Sequence, residues 1–255
     1  MNRNTTRLLA VLLAAVALFA TGCAATQPKV GSKPAQRTLD ETTAEMRKQA
    51  ILDVSDPWEG WNRRMYAFNA RFDKYIFMPA AESYKRYTPK LFQMGVHNFM
   101  RNIREILNIG NGLLQFRFKT AARSTGRLVV NSTLGVAGLA DPASKMGMYY
   151  QKEDFGQTLG VWGAGPGPYM VLPILGPSNV RDTTGFIVDT VAWDQINFLG
   201  YPTWASDQPL IWPTLLYAVD MRASTQFRYF EMGTIYEYIW IRQLYTEMRK
   251  FQIER

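Results

Sequence analysis

DPWEGWNRRMYAFNARFDKY, residues Asp56 to Tyr75, is the stretch on which the fold turns. Asp56 reads as an N-cap, Pro57 as the first helical residue and Glu59 as the capping-box partner three positions on. Trp58, Trp61, Met65, Phe68, Phe72 and Tyr75 then recur at steps of three and four residues. That spacing is one apolar stripe along a helix of about five turns. Asn62, Arg63, Asn69 and Lys74 occupy other faces. A stripe of this kind ordinarily packs into a core, while the two tryptophans at its start also suit a bilayer interface.

The same period returns after Thr88-Pro89. Phe92, Val96, Phe99, Ile103 and Ile106 form a second stripe with Arg101 and Arg104 outside it, and Asn108 to Gly112 breaks the pattern. Further helices are predicted over 113–131, 154–162, 179–192, 214–227 and 233–253. The last carries Ile241, Leu244, Tyr245, Met248 and Phe251 along one side. Trp193 to Pro213 is aromatic and proline-punctuated, without clear period. Alternating strand patterns are scarce, so the fold class is mainly α.

Upstream of Asp56 the chain reads as an export and anchoring segment. Arg3 and Arg7 precede an apolar run from Leu8 to Ala20, which is followed by Thr21, Gly22 and Cys23. The run is too short to span a bilayer, which takes about 20 residues, and it fits a secretory signal peptide over residues 1–22. Cys23 is the only cysteine, so the Gly-Cys junction reads as a bacterial lipobox whose thiol is acylated. Ala20 stands where such motifs usually have Leu. Ala24, rather than Asp, follows the cysteine, which by analogy with Gram-negative lipoproteins implies delivery to the periplasmic side of the outer membrane. Residues 23–55 are expected to be a flexible tether, with a short exposed helix within Leu39 to Gln49. Residues 56–255 are expected to form a single helical domain.

Charge divides that domain. The formal net charge is +8 for the whole chain, and removing residues 1–22, with two arginines and no acids, leaves +6. Between Trp58 and Arg127 there are thirteen Lys or Arg against four acids. Export makes a nucleic-acid partner a poor fit, and anionic headgroups or an acidic protein suit the compartment better. Phe155 to Val219 holds only five charges, Arg181, Asp182, Asp189, Asp194 and Asp207. The Gly and Pro residues between Phe155 and Val180 forbid a regular spanning helix there. Such a region suits either a large apolar core or a surface in contact with lipid.

Enzyme chemistry finds no foothold. His97 is the single histidine and sits on an amphipathic helix. No Ser lies in a G-x-S-x-G elbow, and no His/Cys/Asp/Glu cluster has metal spacing, so no catalytic residue, metal or cofactor is expected. Gly163-Ala164-Gly165-Pro166-Gly167-Pro168 resembles a nucleotide loop only superficially, because its prolines lack the N–H groups that would face phosphates. Gly163, Gly165 and Gly167 instead mark a segment capable of positive φ, either a hinge, a tight hairpin or a static loop.

Three blocks carry a specific resemblance: DPWEGWNRRMYAFN (Asp56 to Asn69), LVVNSTLGVAGLADPA (Leu128 to Ala143) and DFGQTLGVWGAGPGPYMVLPILGPSNVRD (Asp154 to Asp182). In this order behind a lipobox they resemble the MlaA/VacJ outer-membrane lipoproteins. The likeness spans Asp56 to about Thr190 and continues faintly through Met221-Arg222-Ala223 and the C-terminal helix; Val191 to Val219 carries no motif that aligns. The resemblance implies a ring-like assembly of amphipathic helices embedded in one membrane leaflet, with the Gly/Pro-rich loop near a central channel. It implies passive movement of mislocalised glycerophospholipids from the outer leaflet towards a periplasmic carrier of the MlaC type, with an outer-membrane porin trimer as scaffold. Cys23 would be the lipid anchor and Gly163, Gly165 and Gly167 the gating loop. Trp61, Arg63, Arg64, Met65, Ala67 and Phe68 would belong to the ring and channel helix, with helical register at Ala67 and Phe68 mattering for closure. Basic residues such as Arg63, Arg64 or Arg71 would attract a headgroup phosphate. A porin- or peptidoglycan-associated lipoprotein that moves no lipid is the alternative. A membrane-bound hydrolase fits less well, because no nucleophile–base pair is apparent.

Overall fold

The computed structural model describes residues 54–196, 212–231, 233, 234 and 236–255. The export segment, Cys23, the tether through residue 53 and residues 197–211 lie outside the described residues. Helix α1, Glu59–Phe72, runs through a π turn, Asp73–Phe77, into α2, Met78–Tyr87. Thr88 is extended, with φ −96° and ψ 131°, as expected of the residue before a proline. Helix α3, Lys90–Leu114, and α4, Phe118–Thr133, pack along each other, and a short α5, Pro142–Lys145, follows. Helix α6, Phe155–Val161, leads to strands β1, Tyr169–Leu172, and β2, Gly176–Asn179. Helices α7, Val180–Ile196, α8, Trp212–Ser224, and α9, Glu237–Glu254, complete the chain. The fold is mainly α.

The opening helix is inverted relative to the ordinary expectation. Its apolar stripe faces outward: Trp58, Trp61, Phe68 and Tyr75 are all exposed. Asn62, Tyr66, Asn69, Ala70 and Asp73 are buried instead. Asp56 does not cap the helix either. Trp58 holds the cap position without a side-chain bond. The Asp56 carboxylate accepts from Asn62 Nδ2 at 2.7 Å, from the Tyr238 hydroxyl and from Arg242 Nη1 at 2.9 Å. A buried guanidinium is a stronger partner than an exposed helical amide, and it takes the carboxylate away from the cap.

The two buried asparagines of α1 hold the hairpin. Val171 N donates to Asn62 Oδ1 at 2.8 Å, and Asn62 Nδ2 also reaches the Tyr169 carbonyl at 3.1 Å. Asn69 Nδ2 donates to the Leu172 carbonyl at 2.9 Å, and Ile174 N donates to Asn69 Oδ1 at 2.7 Å. Seven helical residues rise about 10.5 Å, and three strand residues span about 10 Å, so Asn62 and Asn69 match the two ends of β1. The strands pair antiparallel from Tyr169↔Asn179 to Leu172↔Gly176. Ile174 in the turn has φ +66°, a conformation costly for a β-branched residue and held here by the Asn69 bond.

Helix α3 does not break at Asn108 to Gly112. Asn108 donates to Glu105 Oε2 at 2.9 Å and accepts from Glu153 N at 2.9 Å. Asn111 donates to Asp189 Oδ1 at 3.0 Å and accepts from Thr158 Oγ1 at 2.8 Å. Tertiary bonds thus override the weak local propensity. Helices α6 and α7 approach at Gly156 and Gly185, where a Cβ on Gly185 would lie 2.1 Å from the Gly156 nitrogen. Only two glycines permit that contact.

Candidate functional site

The interior of this chain is unusually polar. Glu105 is 0% and Arg127 2% exposed, and Arg127 Nε donates to Glu105 Oε1 at 2.5 Å. Arg127 also reaches Asp141 Oδ2 at 3.1 Å, Ser144 Oγ at 2.9 Å and the Met148 carbonyl. Asp141 in turn caps α5 through Ser144 N and accepts from Asn131. A second network joins distant segments. Arg249 on α9 binds Asp154 at 2.8 Å and Asp182 at 2.8 Å, and Tyr245 donates to Asp182 at 2.7 Å. Burial alone would raise the Asp154 carboxyl, but its bonds to Arg249 outweigh that and hold it well below the usual carboxylate range. At Asp189 burial wins and the carboxyl is pushed up, although Phe155 N and Asn111 donate to it. A third network ties Asp73 to Arg222 on α8.

The surface shows the complementary pattern. On α7, Phe186, Ile187, Val188, Val191 and Trp193 are exposed, and on α9 so are Trp240, Leu244, Met248 and Phe251. Leu91 at the start of α3 is 83% exposed and Tyr87 before it 76%. The stripe expected along one side of the last helix therefore splits, with Ile241 buried and Leu244, Met248 and Phe251 turned out. Apolar surface of this extent on several helices marks an interaction with an apolar partner rather than scattered surface residues. No described helix is long and apolar enough to cross a membrane.

Between α1 and the start of α9 lies a cavity of about 390 Å³, lined by Arg63, Tyr66, Phe230, Thr234, Glu237 and Tyr238. Arg63 binds Glu59 at 2.7 Å and stacks 4.5 Å over the Tyr238 ring. Tyr66 donates to Glu237 Oε1 at 2.6 Å. Burial, reinforced by the Glu237 carboxylate, raises the Tyr66 hydroxyl far above its ordinary value, so it remains a neutral donor. Of the residues singled out in the sequence, Arg63 reaches this cavity. Trp61, Arg64 and Phe68 are exposed, and Met65 and Ala67 are half-buried.

The glycine loop is also resolved into unlike parts. Gly163 has φ +92° and Gly167 φ +66°, whereas Gly165 is not in the left-handed region and has open space where a Cβ would go. A Cβ on Gly167 would lie 3.2 Å from Val180 Cβ. The loop is pinned at its end, since Arg181 N donates to the Pro166 carbonyl at 3.2 Å and Val180 N to Pro168 at 3.2 Å. The hairpin follows the loop and is not built from it.

The sequence reading put Asn62 and Asn69 off the apolar stripe of α1 without giving them a role, and missed Tyr66, Asp73 at the start of the π turn, and the carboxylates and arginines of the three networks. The signal available was a polar stripe at helical spacing on α3, Asn102, Glu105, Asn108 and Asn111, running beside the apolar one.

A model of the MlaA lipoprotein family matches residues 54–252. An uncharacterised protein of Rickettsia prowazekii is 41% identical over 156 residues, which are 61% of this chain and 61% of that protein, so the match spans under two thirds of that relative. The intermembrane phospholipid transport system lipoprotein MlaA of Haemophilus influenzae is 30% identical over 204 residues, 79% of this chain and 70% of its own length. A chain solved in work on the structural basis for maintenance of bacterial outer membrane lipid asymmetry superposes with a TM-score of 0.64 at 28% identity, covering 78% of this chain and 99% of that one.

Proposed function

Because the chain belongs to the MlaA lipoprotein family, we propose that it moves glycerophospholipids out of the outer leaflet of the outer membrane towards a periplasmic carrier, and so maintains lipid asymmetry. The observation that carries this reading is the inverted patterning: apolar side chains face out from α1, α3, α7 and α9 while Asn, Glu, Asp and Arg fill the interior. Lipid is the solvent in which that arrangement is favourable, since outward apolar surface costs nothing there and inward groups such as Asn62, Asn69, Glu105, Asn111 and Arg127 are hydrogen-bonded within the protein. The described amphipathic helices, none long and apolar enough to cross a membrane, suit residence in one leaflet. The Haemophilus relative is named for intermembrane phospholipid transport, which supports the same direction of argument.

In this reading Cys23 carries the acyl anchor, Trp61 and Phe68 contact lipid, and Arg63 faces a cavity at the small end of the ligand-pocket range. The loop from Gly163 to Gly167 gates the path, and a porin trimer and an MlaC-like carrier are the partners. Movement down a gradient breaks no bond and requires no cofactor. The test is the phospholipid content of the outer leaflet in cells lacking the protein. A rise, reversed by the wild-type chain, supports transport. An unchanged outer leaflet, with porin or cell-wall association intact, favours a purely structural lipoprotein.

A further inference from the structure

Among the described arginines that are buried or half-buried, all but three contact a carboxylate. One exception, Arg123, donates to Gln151 Oε1 at 2.8 Å. The other two, Arg101 and Arg104, stand one turn apart on α3. The Arg101 guanidinium lies 4.1 Å over the Tyr150 ring, and that of Arg104 lies 5.1 Å over Tyr217 of α8. Arg104 is close enough to act electrostatically on both Tyr150 and Lys152. The Lys152 side chain is 58% exposed, with Nζ 3.9 Å from Asp154.

The neighbouring acids are already engaged. Glu105 holds Arg127 and Asn108, Asp154 holds Arg249, and Asp189 accepts from Asn111 and Phe155 N. Asp220 accepts from Tyr84 at 3.3 Å and contacts His97 Nδ1 at 2.9 Å, while His97 Nε2 lies 3.4 Å from Arg101. Two guanidinium groups placed over aromatic rings, neither paired with a carboxylate and with a lysine beside them, offer N–H donors to a tetrahedral oxyanion.

We propose that Arg101, Arg104 and Lys152, framed by Tyr150 and Tyr217, form a phosphate site that takes the headgroup of a glycerophospholipid. The lipid source rests on the transport reading above; the recognised chemistry is a phosphate, esterified or free. It differs from the expectation for Arg63, Arg64 and Arg71, of which Arg63 is paired with Glu59 and the other two are exposed.

The full chain in nonionic detergent is titrated with dihexanoyl phosphatidylglycerol and separately with inorganic phosphate. Wild-type protein should bind the short-chain lipid, and R101Q/R104Q should bind it about tenfold more weakly through loss of two charge-assisted contacts. Equal binding by the two proteins, or no binding by wild type, overturns the site. Inorganic phosphate that binds without being displaced by the lipid overturns the headgroup assignment. If R101Q/R104Q does not fold, R104K carries the test: it keeps the charge and loses the fork, so binding should fall several-fold, and undiminished binding overturns the site. Failure of the transport reading would show instead as an unaltered outer leaflet in cells lacking the protein, which this titration does not measure.

Discussion

The two faces of α1 obey opposite rules. Its outer face carries Trp58, Trp61, Phe68 and, within the π turn, Tyr75, all exposed; the Tyr75 ring lies 5.4 Å from the Lys74 ammonium. Its inner face carries Asn62, Tyr66 and Asn69, continued by Asp73 in the π turn, each bonded to a segment more than a hundred residues away. In a water-soluble helix these roles would be exchanged. The contrast teaches that in this chain specificity of folding lies in hydrogen bonds on the inside, and adaptation to the surroundings lies in apolar area on the outside. Substitutions on the two faces should therefore fail in different assays.

Deleting Ala67 and Phe68 should have the largest effect. Residues after the deletion turn by about 200° relative to those before it, so Asn62 and Asn69 no longer lie two turns apart. Only one of them can then hold β1. Amide exchange at Val171 and Ile174 should lose protection, and outer-leaflet phospholipid should change while protein remains in the membrane. Retained protection at both amides together with normal asymmetry would break the proposed link between register and function.

Arg127→Leu should come next, as a loss of stability. It strands Glu105, which is fully buried, and removing one partner of a buried pair costs about 3–5 kcal/mol. Denaturant unfolding in detergent micelles measures this, and E105L/R127L should recover most of the loss. If Arg127→Leu alone is neutral, the inner face is not held as described.

A smaller effect separates the glycines. Gly167→Val meets both a positive φ and Val180, at a cost of about 1–2 kcal/mol from the backbone alone. Gly165→Val meets neither and should leave stability unchanged. Lipid removal from the outer leaflet should be impaired in the first and retained in the second, so equal behaviour would exclude a conformational role for the loop. Trp61→Ser is the smallest expected change: unfolding in micelles should shift by no more than about 0.5 kcal/mol, while binding to vesicles weakens.

Much of this was legible beforehand. Among the described residues the helical period located α1, α3, α4, α6, α7, α8 and α9, though not α2, and the three motif blocks gave the family. What periodicity could not supply was which side of α1 faces in, because an amphipathic stripe reads the same whether water or lipid lies outside. The second, polar stripe of Asn and Glu was the available clue. The pairings of Arg242 with Asp56 and of Arg249 with Asp154 and Asp182 join residues far apart in sequence, and no local signal foretells them. The hairpin was hidden for another reason. Strand β2 is Gly-Pro-Ser-Asn, which has no strand propensity of its own and follows a β1 held in place by the asparagines of α1.

The central claim is that the outward apolar faces are bathed in lipid. It is tested most directly by spin labels placed one at a time at Trp61, Phe68, Leu91, Ile187 and Met248 in a Cys23-anchored protein reconstituted into vesicles. Collision with oxygen should exceed collision with a water-soluble nickel complex at every one of these positions. Dominant nickel collisions at these sites, in protein that is still vesicle-bound, would place the faces in water and contradict the account.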